Sequence, residues 1–428
     1  MTVFDHSLVP AGLQDPAFLA TLAAEHGTPL FVYDEDELRA RCRDYVANFG
    51  DGNVAYAGKA FLCTAMARLV EDEGLHLDVA TGGELHVAMH AGFPPERIVV
   101  HGNNKSVEEL DLALAVEAGR IVVDSFDELD RLEQLAAARG DRPQVLVRVT
   151  PGVEAHTHEF IETGTDESKF GFTVAGGVAL RAALRVCESR TLSFAGLHLH
   201  IGSQIYVLES YRRAIEIVAA LAAEIETKAG VPLTELNIGG GLGIRYLVGD
   251  PQRDLEEYAA TVVDALQSAW ADHGLRELPR LMVEPGRSIA GPAAITLYRV
   301  GTVKEIPEGR TYVAVDGGMS DNPRPVLYGA GYEVYLPDRI DAARELVCAI
   351  AGKHCEQGDI LVADARLPED VAVGDLLAVP VTGAYGYSMA SNYNKVPRPA
   401  VVFVRDGNAR VVVRRETPED LVRLDEPQ

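Results

Sequence analysis

The chain has 428 residues, of which 47% are hydrophobic and 24% are charged. It can therefore bury a large hydrophobic core, which excludes a disordered chain and a very small fold that depends on disulfides or bound metal. Lysine and arginine total 39 against 64 aspartate and glutamate residues, which gives a net charge of −25. That charge repels nucleic-acid phosphates and anionic lipid, so the composition argues against both as partners.

The N-terminal segment, residues 1–20, is acidic and interrupted by proline, and it lacks the basic and apolar regions of a signal peptide. No stretch approaches the roughly 18 apolar residues of a membrane span. The five cysteines are widely spaced and contain no CxxC pair, which argues against a disulfide framework and a structural zinc site. We therefore expect a protein of the reducing cytoplasm.

From residue 30 to residue 285, short apolar runs alternate with alanine- and leucine-rich segments of helical period. Alternation of this kind predicts a parallel sheet with helices outside it. The number of units over about 250 residues favours a closed (β/α)8 TIM-type barrel over a doubly wound open sheet. The apolar runs are residues 30–33, 53–57, 75–80, 98–101, 121–124, 145–149, 194–200, 236–239 and 281–284.

After residue 285 the runs become short, β-branched and separated by turn signals, which is typical of an antiparallel β domain. Residues 405–408, Arg-Asp-Gly-Asn, lie between two valine-rich runs and predict a hairpin. We therefore expect a barrel over residues 30–285 and a C-terminal, β-barrel-like domain over residues 286–428, with residues 1–29 as a candidate addition to the second domain.

Polar and glycine residues directly follow the predicted strands, and in a barrel these strand ends converge on one mouth, where active sites lie. Lys59 follows the run at 53–57. A lysine that points into a closed mouth is desolvated, which lowers its pKa and frees the amine to form a Schiff base. A solvated loop lysine is the more common arrangement, so the residue alone leaves both interpretations open.

A glycine-rich turn at residues 239–243 follows the run at 236–239. Glycine lets backbone N–H groups approach an anion, and a following helix N-terminus adds partial positive charge, so this turn is a candidate phosphate site. Its spacing does not match the dinucleotide pattern GxGxxG in any register. A plain tight turn between strand and loop explains the glycines equally well.

Glu284 and Arg287 follow the last apolar run of the predicted barrel. A carboxylate at this position can contact a cationic ring nitrogen, and a guanidinium can bind an anionic group of a ligand. An ordinary ion pair between the two side chains is the alternative.

Two HxH patterns, at residues 156–158 and 198–200, suggest metal ligation because alternate residues of a strand face one side. Later strands supply no matching series of aspartate and histidine, so we predict no metal. His200 is instead well placed to stack on a flat cofactor.

Four further regions carry polar or glycine residues without a regular period. The irregular segment at 152–172 is a candidate lid, or simply surface. Cys355 and Glu356 lie side by side in a polar turn, where a cysteine is more often an ordinary thiol than a catalytic acid. The glycine-rich segments 316–325 and 382–389 are each weak signals alone.

Taken together and in this order, these segments resemble the fold-type III pyridoxal-phosphate decarboxylases over residues 29–399. The similar motifs are the lysine motif at 56–60, the cofactor-stacking segment at 196–204, the phosphate loop at 238–241 and the Glu-Pro-Gly-Arg segment at 284–287. The resemblance implies an alanine-racemase-like architecture of two domains and pyridoxal 5'-phosphate as cofactor.

The resemblance also implies roles for individual residues. Lys59, Glu284 and Cys355 are the expected catalytic residues: Lys59 holds the cofactor, Glu284 keeps the ring nitrogen protonated, and Cys355 donates a proton to Cα. The expected cofactor-binding residues are Lys59, Asp78, His200, Ser203, Gly240, Gly241, Glu284 and Tyr385. The expected substrate-binding residues are Arg287, Arg324, Tyr328, Glu356 and Tyr385.

In that family, the pair equivalent to Cys355 and Glu356 enters the active site from the other subunit, so the resemblance implies a homodimer with shared sites. Residues 153–160 and 169–171 are similar to the branch that converts meso-diaminopimelate to L-lysine and CO2, the last step of lysine biosynthesis. Gln357 departs from this branch, which usually carries serine there. A decarboxylase of another diamino acid or glutamyl-type acid, and a noncatalytic regulatory homologue that binds the cofactor, stay open as alternatives.

Overall fold

The computed structural model describes residues 4–153 and 168–426, which form two compact units. Unit 1 comprises Met1–Arg41, Ile244–Pro251 and Arg287–Gln428, and unit 2 comprises Cys42–Gly243 and Gln252–Gly286. Residues 154–167, which include His156, His158 and most of the predicted lid, lie outside the described residues.

The helices and strands alternate through the first two thirds of the chain, and strands dominate the remainder. The helices are α1 (Pro16–His26), α2 (Glu35–Phe49), α3 (Thr64–Asp72), α4 (Gly82–Ala91), α5 (Val107–Ala115), α6 (Phe126–Arg139), α7 (Val178–Glu188), α8 (Glu209–Ala229), α9 (Leu255–Asp272), α10 (Arg287–Ala290) and α11 (Arg324–Tyr328). The strands are β1 (Leu30–Asp34), β2 (Ala55–Ala57), β3 (His76–Val79), β4 (Ile98–Val100), β5 (Arg120–Val123), β6 (Gln144–Thr150), β7 (Phe172–Thr173), β8 (Ser193–His198), β9 (Glu235–Asn237), β10 (Arg280–Met282), β11 (Ala294–Glu305), β12 (Thr311–Val315), β13 (Leu346–Ala351), β14 (Ile360–Leu367), β15 (Leu376–Pro380), β16 (Ala400–Arg405) and β17 (Asn408–Val413).

Unit 2 is a closed parallel barrel. Its strands lie in the order β10-β9-β8-β6-β5-β4-β3-β2, and the short β7 pairs with β6. A parallel bridge between Val54 and Val283 joins the two ends, where Ala55 N–H donates to the Val283 carbonyl at 2.9 Å. The predicted (β/α)8 barrel is therefore confirmed, and the open doubly wound sheet is wrong.

The barrel interior contains an apolar layer to which six strands or strand ends each contribute one buried side chain, as expected for a packed barrel core. The helices outside begin and end at residues suited to those positions. Ser106 caps α5 in a reciprocal capping box with Glu109, and α6 ends at Gly140 in the left-handed conformation. The layer consists of Ala55, Val99, Val122, Leu146, Ala195 and Met282.

Unit 1 is built on one mixed sheet in the order β14-β13-β12-β11-β1-β16-β17, with β15 paired to β11. Most ladders are antiparallel, as predicted, but β1 pairs parallel with β16 and β12 pairs parallel with β13. The hairpin predicted at 405–408 joins β16 to β17.

Strand β1 is the main difference from the sequence-based prediction, which counted the run at 30–33 among the barrel strands. It lies in unit 1 between β11 and β16. All five of its residues are buried, as in a strand covered on both faces, so its local pattern matches that of a barrel strand. No helix among the described residues is long and apolar enough to cross a membrane.

Candidate active site

The carboxyl ends of the barrel strands in unit 2 bring together a buried carboxylate and several polar side chains. Glu284 follows β10 and is 6% exposed. Its Oε1 accepts hydrogen bonds from His101 Nε2 at 2.8 Å and from Asn237 Nδ2 at 2.7 Å, and its Oε2 accepts one from His198 Nε2 at 3.0 Å. Three different strand ends therefore fix the position of one carboxylate.

The charges in this cluster follow from burial and from these contacts. Burial opposes ionisation of Glu284, but His101 and His198 outweigh it and hold the pKa of Glu284 well below its usual value. Burial alone would lower the pKa of His101, yet Asp78 and Glu284 raise it. Burial lowers the pKa of His198 to about 4. At neutral pH the cluster therefore holds an anionic Glu284 beside a neutral His198.

Asp78 and Lys59 lie at the same end of the barrel. Burial raises the pKa of Asp78 to about 6, while the charges of His101 and Lys59 act in the opposite direction. Asp78 Oδ1 lies 3.8 Å from His101 Nε2. Lys59, in the turn Gly58–Ala60 after β2, is exposed, so the desolvation expected from its position at a strand end is not found in this chain.

His200 is the residue predicted to stack on a cofactor. Burial, with a contribution from the charge of Lys59, lowers its pKa well below the usual value, so the ring is neutral. Its Nδ1 accepts a hydrogen bond from the Gly240 N–H at 3.3 Å, which leaves the proton on Nε2.

The glycine turn packs closely against the neighbouring strand ends. A Cβ at Gly240 would lie 2.2 Å from the Glu284 carbonyl oxygen, and one at Gly241, whose φ is +114°, would lie 2.4 Å from the Gly202 carbonyl oxygen. The Gly239 N–H donates to Asn237 Oδ1 at 2.9 Å. The turn is therefore tied to both His200 and Asn237, which belong to the segments that carry the predicted site.

These residues fit pyridoxal phosphate. One unit supplies an amine, an ionised carboxylate for a ring nitrogen, a neutral imidazole and a close-packed glycine turn of the kind that approaches phosphate. Ser203, half-buried, lies in the segment between β8 and the bridge that joins Ile205 to Leu242.

The metal interpretation of the HxH patterns can be compared with the geometry. His101, His198 and Glu284 place one ligand atom each within 4.8 Å of one another. However, the Nε2 atoms of both histidines are hydrogen-bonded to the Glu284 carboxylate. His200 contacts the glycine turn instead. The pair His156 and His158 lies outside the described residues.

Unit 1 contains a second cluster, formed by arginine and tyrosine. Arg287, at the start of α10, is 8% exposed, and its Nη1 donates to the Tyr246 hydroxyl at 2.8 Å. The guanidinium carbon of Arg287 lies 4.7 Å from the centre of the Tyr385 ring. Tyr385 itself has a positive φ of 63°, which marks a constrained backbone at a predicted contact residue.

Arg324, at the start of α11, joins the same cluster. It is 6% exposed, its guanidinium carbon lies 4.7 Å from the centre of the Tyr246 ring, and it donates to the Tyr332 hydroxyl. Within the described ranges, no carboxylate forms an ion pair with Arg324. Tyr328, at the other end of α11, is half-buried.

Cys355 and Glu356 are both exposed, on a turn anchored to the rest of unit 1. Asp359 holds the turn by accepting from the His354 N–H at 2.8 Å and from the Met319 N–H at 2.7 Å. Glu356 accepts a hydrogen bond from the Tyr393 hydroxyl.

Sequence reasoning missed four residues of these clusters: His101, Asn237, Tyr246 and Tyr332. His101 ends the predicted run at 98–101, where a polar side chain is a usable signal for a barrel mouth, whereas Asn237 lies inside the predicted run at 236–239 and ends the observed strand β9. Tyr246 and Tyr332 had no such signal, because only the fold brings them to the arginines.

The chain is similar to known proteins in sequence and in fold. Residues 35–291 match the pyridoxal binding domain of the pyridoxal-dependent decarboxylases. The chain is 51% identical over 416 residues to the diaminopimelate decarboxylase of Mycobacterium tuberculosis (strain ATCC 25618 / H37Rv), covering 95% of this chain and 93% of that protein. It is 50% identical over 410 residues to the enzyme of the same name from Bacillus subtilis (strain 168), with the same two coverages.

Among solved structures, the diaminopimelate decarboxylase of Helicobacter pylori in complex with L-lysine superposes with a TM-score of 0.87. The two chains share 33% identity over 95% of this chain and 99% of that one.

Proposed function

Since this chain belongs to the diaminopimelate decarboxylases, a branch of the pyridoxal-dependent decarboxylase family, we propose that it removes one carboxyl group of meso-2,6-diaminopimelate and releases L-lysine and CO2. Its cofactor is pyridoxal 5'-phosphate. The observation that carries the proposal is the buried, ionised Glu284, held by three hydrogen bonds at the barrel mouth.

When bound, pyridoxal phosphate supplies a protonated pyridine ring that accepts the electrons left at Cα when the bond to the carboxylate carbon breaks. Glu284 would hold the proton on the ring nitrogen, because an adjacent anion favours the charged form. His200 would pack on the ring face, and Ser203, Gly240 and Gly241 would bind the phosphate. Lys59 would hold the aldehyde end.

The substrate carboxylate that is retained would bind to Arg287 and Arg324. Both guanidiniums are buried, and planar guanidinium groups match carboxylates through paired hydrogen bonds. Tyr328, on the same helix as Arg324, and Tyr385, which packs on Arg287, would complete this end of the substrate site.

Two further predicted residues lead to a proposed homodimer. Cys355 and Glu356 are exposed on an anchored turn, and a partner chain would receive them in its own active site. There the Cys355 thiol would donate its proton to Cα, and Glu356 would accept hydrogen bonds from a substrate ammonium group. We also propose a cytoplasmic location, which the wide spacing of the five cysteines and the lack of a CxxC pair support.

The test of function is carbon dioxide release by the purified protein with pyridoxal phosphate. Diaminopimelate, ornithine, lysine and arginine are compared at equal concentration. We expect release from diaminopimelate and none above background from the other three. Release of carbon dioxide from ornithine, lysine or arginine, without release from diaminopimelate, would refute the substrate assignment. Absence of a visible absorbance band that disappears on borohydride reduction would refute the cofactor.

The shared active site can be tested by mixing two inactive variants, Lys59→Ala and Cys355→Ala. If Cys355 acts in the partner's site, each mixed dimer has one intact site and one site that lacks both groups. Random exchange makes half of the dimers mixed, so about a quarter of the original activity should return. No recovery in a sample shown to contain mixed dimers would contradict the shared site.

A further inference from the structure

Tyr246 belongs to the cluster of arginine and tyrosine in unit 1, although no motif of the sequence assigns it a role. The chain contributes the short segment Ile244–Pro251 to unit 1, and this segment carries Tyr246, which is 5% exposed. Its hydroxyl accepts from Arg287 Nη1 at 2.8 Å, and its ring centre lies 4.7 Å from the guanidinium carbon of Arg324. One side chain therefore contacts both arginines.

The electrostatics explain why such a contact is needed. Two buried guanidiniums repel each other and are costly to desolvate unless polar groups or an anion satisfy them. An aromatic face attracts a cation, and a phenol oxygen accepts its hydrogen bonds. Burial would raise the pKa of Tyr246, but Arg287 and Arg324 outweigh burial and lower it, which reflects how strongly the two positive charges act on this hydroxyl.

A second tyrosine supports the same arrangement. The Tyr332 hydroxyl accepts from Arg324, and the Tyr332 and Tyr246 rings meet edge to face, with centres 5.3 Å apart and planes at 85°. This packing fixes the Tyr246 ring, because edge-to-face pairs are favourable. Tyr246 is therefore held rigidly between the two groups that it orients.

We propose that Tyr246 is a positioning residue that determines specificity for the retained carboxylate of the substrate. It aligns Arg287 through its hydroxyl and Arg324 through its ring, so that both guanidiniums are ready for one carboxylate before the ligand arrives. Such preorganisation increases affinity by reducing the ordering needed on binding. The inference rests on the proposed function, because that function supplies the carboxylate.

The test compares ligands with and without this carboxylate, using the complete enzyme with bound cofactor. Tyr246→Phe removes the hydroxyl and keeps the ring. We expect the KM for diaminopimelate and the inhibition constant for L-lysine each to rise about tenfold, as for the loss of a hydrogen bond to a charged group. The value of kcat should change by less than about threefold, since the reacting groups are untouched.

Inhibition by 1,5-diaminopentane provides the discriminating measurement, because this compound has the amines of lysine and no carboxylate. Its inhibition constant should stay the same in Tyr246→Phe. The matched control is Tyr335→Phe in the same unit: Tyr335 is 3% exposed, and its hydroxyl has no hydrogen-bond partner among the residues described. All three constants should stay the same in this control.

Two results would overturn the proposal. Constants for diaminopimelate and lysine within about twofold of the unaltered enzyme would show that the hydroxyl does not orient the arginines. Equal weakening of lysine and 1,5-diaminopentane would show a general loosening of the site. If the unaltered enzyme failed to decarboxylate diaminopimelate, the proposed function would be refuted instead, and unchanged L-lysine binding in Tyr246→Phe, measured by calorimetry, would overturn the inference separately.

Discussion

Replacing Glu284 by glutamine removes one negative charge from the barrel mouth with almost no change in volume. The carboxylate accepts hydrogen bonds from His101, Asn237 and His198. A glutamine oxygen can keep the first two, but its amino group then faces His198 Nε2. Because His198 Nδ1 has no partner among the described residues, that ring can move its proton to Nδ1 and accept from the glutamine, so the variant should fold.

The expected loss is therefore electrostatic. Without an anion beside the ring nitrogen, the bound cofactor is a weaker acceptor for the electrons released at Cα. Loss of one preorganised electrostatic contact of this kind costs about 3 kcal/mol, or about 10²-fold in kcat. The KM for diaminopimelate should change little, because Arg287 and Arg324 are untouched. The assay is carbon dioxide release at saturating substrate and cofactor, with the absorbance spectrum of the bound cofactor as a second measurement.

Glutamine at Glu235 is the matched control. This carboxylate is 2% exposed in the same barrel and pairs with Arg120 at 3.0 Å, away from the strand ends that carry the site. Glu235→Gln should lower the free energy of unfolding and leave kcat unchanged. A Glu284→Gln enzyme with kcat within about threefold of the original, and with an unaltered cofactor spectrum, would refute the role assigned to the carboxylate.

Other side chains give equally direct tests. Arg324→Lys should raise the KM for diaminopimelate about tenfold, since an ammonium group cannot form paired hydrogen bonds or stack on two tyrosine rings in the same way; an unchanged KM would count against the substrate assignment. Burial raises the pKa of Asp321 to about 7 from 3.8, so between these pH values the folded protein keeps a proton that the unfolded chain loses. The free energy of unfolding of the unaltered protein should therefore fall by roughly 2 kcal/mol through this group between pH 5 and pH 7. In urea unfolding, Asp321→Asn should lack this fall, and parallel pH profiles for the two proteins would exclude it. His354 donates to Asn394 Oδ1 at 3.1 Å, and that oxygen also accepts from the Cys355 N–H at 3.4 Å. His354→Leu removes one of the contacts that position Cys355, so it should lower kcat about tenfold without changing the cofactor spectrum. An unaltered kcat would show that the turn carrying Cys355 does not need this contact.

Most of the barrel was predictable because most of its strands are short, largely buried runs with a polar residue or glycine within the next two positions. Strand β1 was not, since full burial of five residues looks the same in a barrel and in the middle of a covered sheet. Its place is decided by pairing with β11 and β16, which are far away in sequence. Local periodicity contains no information about such partners.

The candidate site also contains residues that local sequence motifs indicate and residues that only long-range contacts bring to it. Glu284 and His200 could be proposed from the sequence because their motifs are contiguous. The hydrogen bonds that keep Glu284 ionised come from His101 and Asn237 on other strands, and the contact of Tyr246 with both arginines depends on the path of Ile244–Pro251. Charge state and alignment are properties of these long-range contacts, so candidates for the reacting groups can be proposed from the sequence more readily than the residues that orient them.

The position of β1 also constrains synthesis of the chain. Strand β1, an inner strand of the unit 1 sheet, leaves the ribosome well before its neighbours β11 and β16, which follow only after the whole barrel has been translated. The nascent chain must therefore carry an apolar, unpaired strand for most of its elongation, a state in which exposed strand edges promote aggregation. Trimming the N-terminus through Asp34 would accordingly split the later sheet in its interior, leaving β16 and β17 without their link to β11.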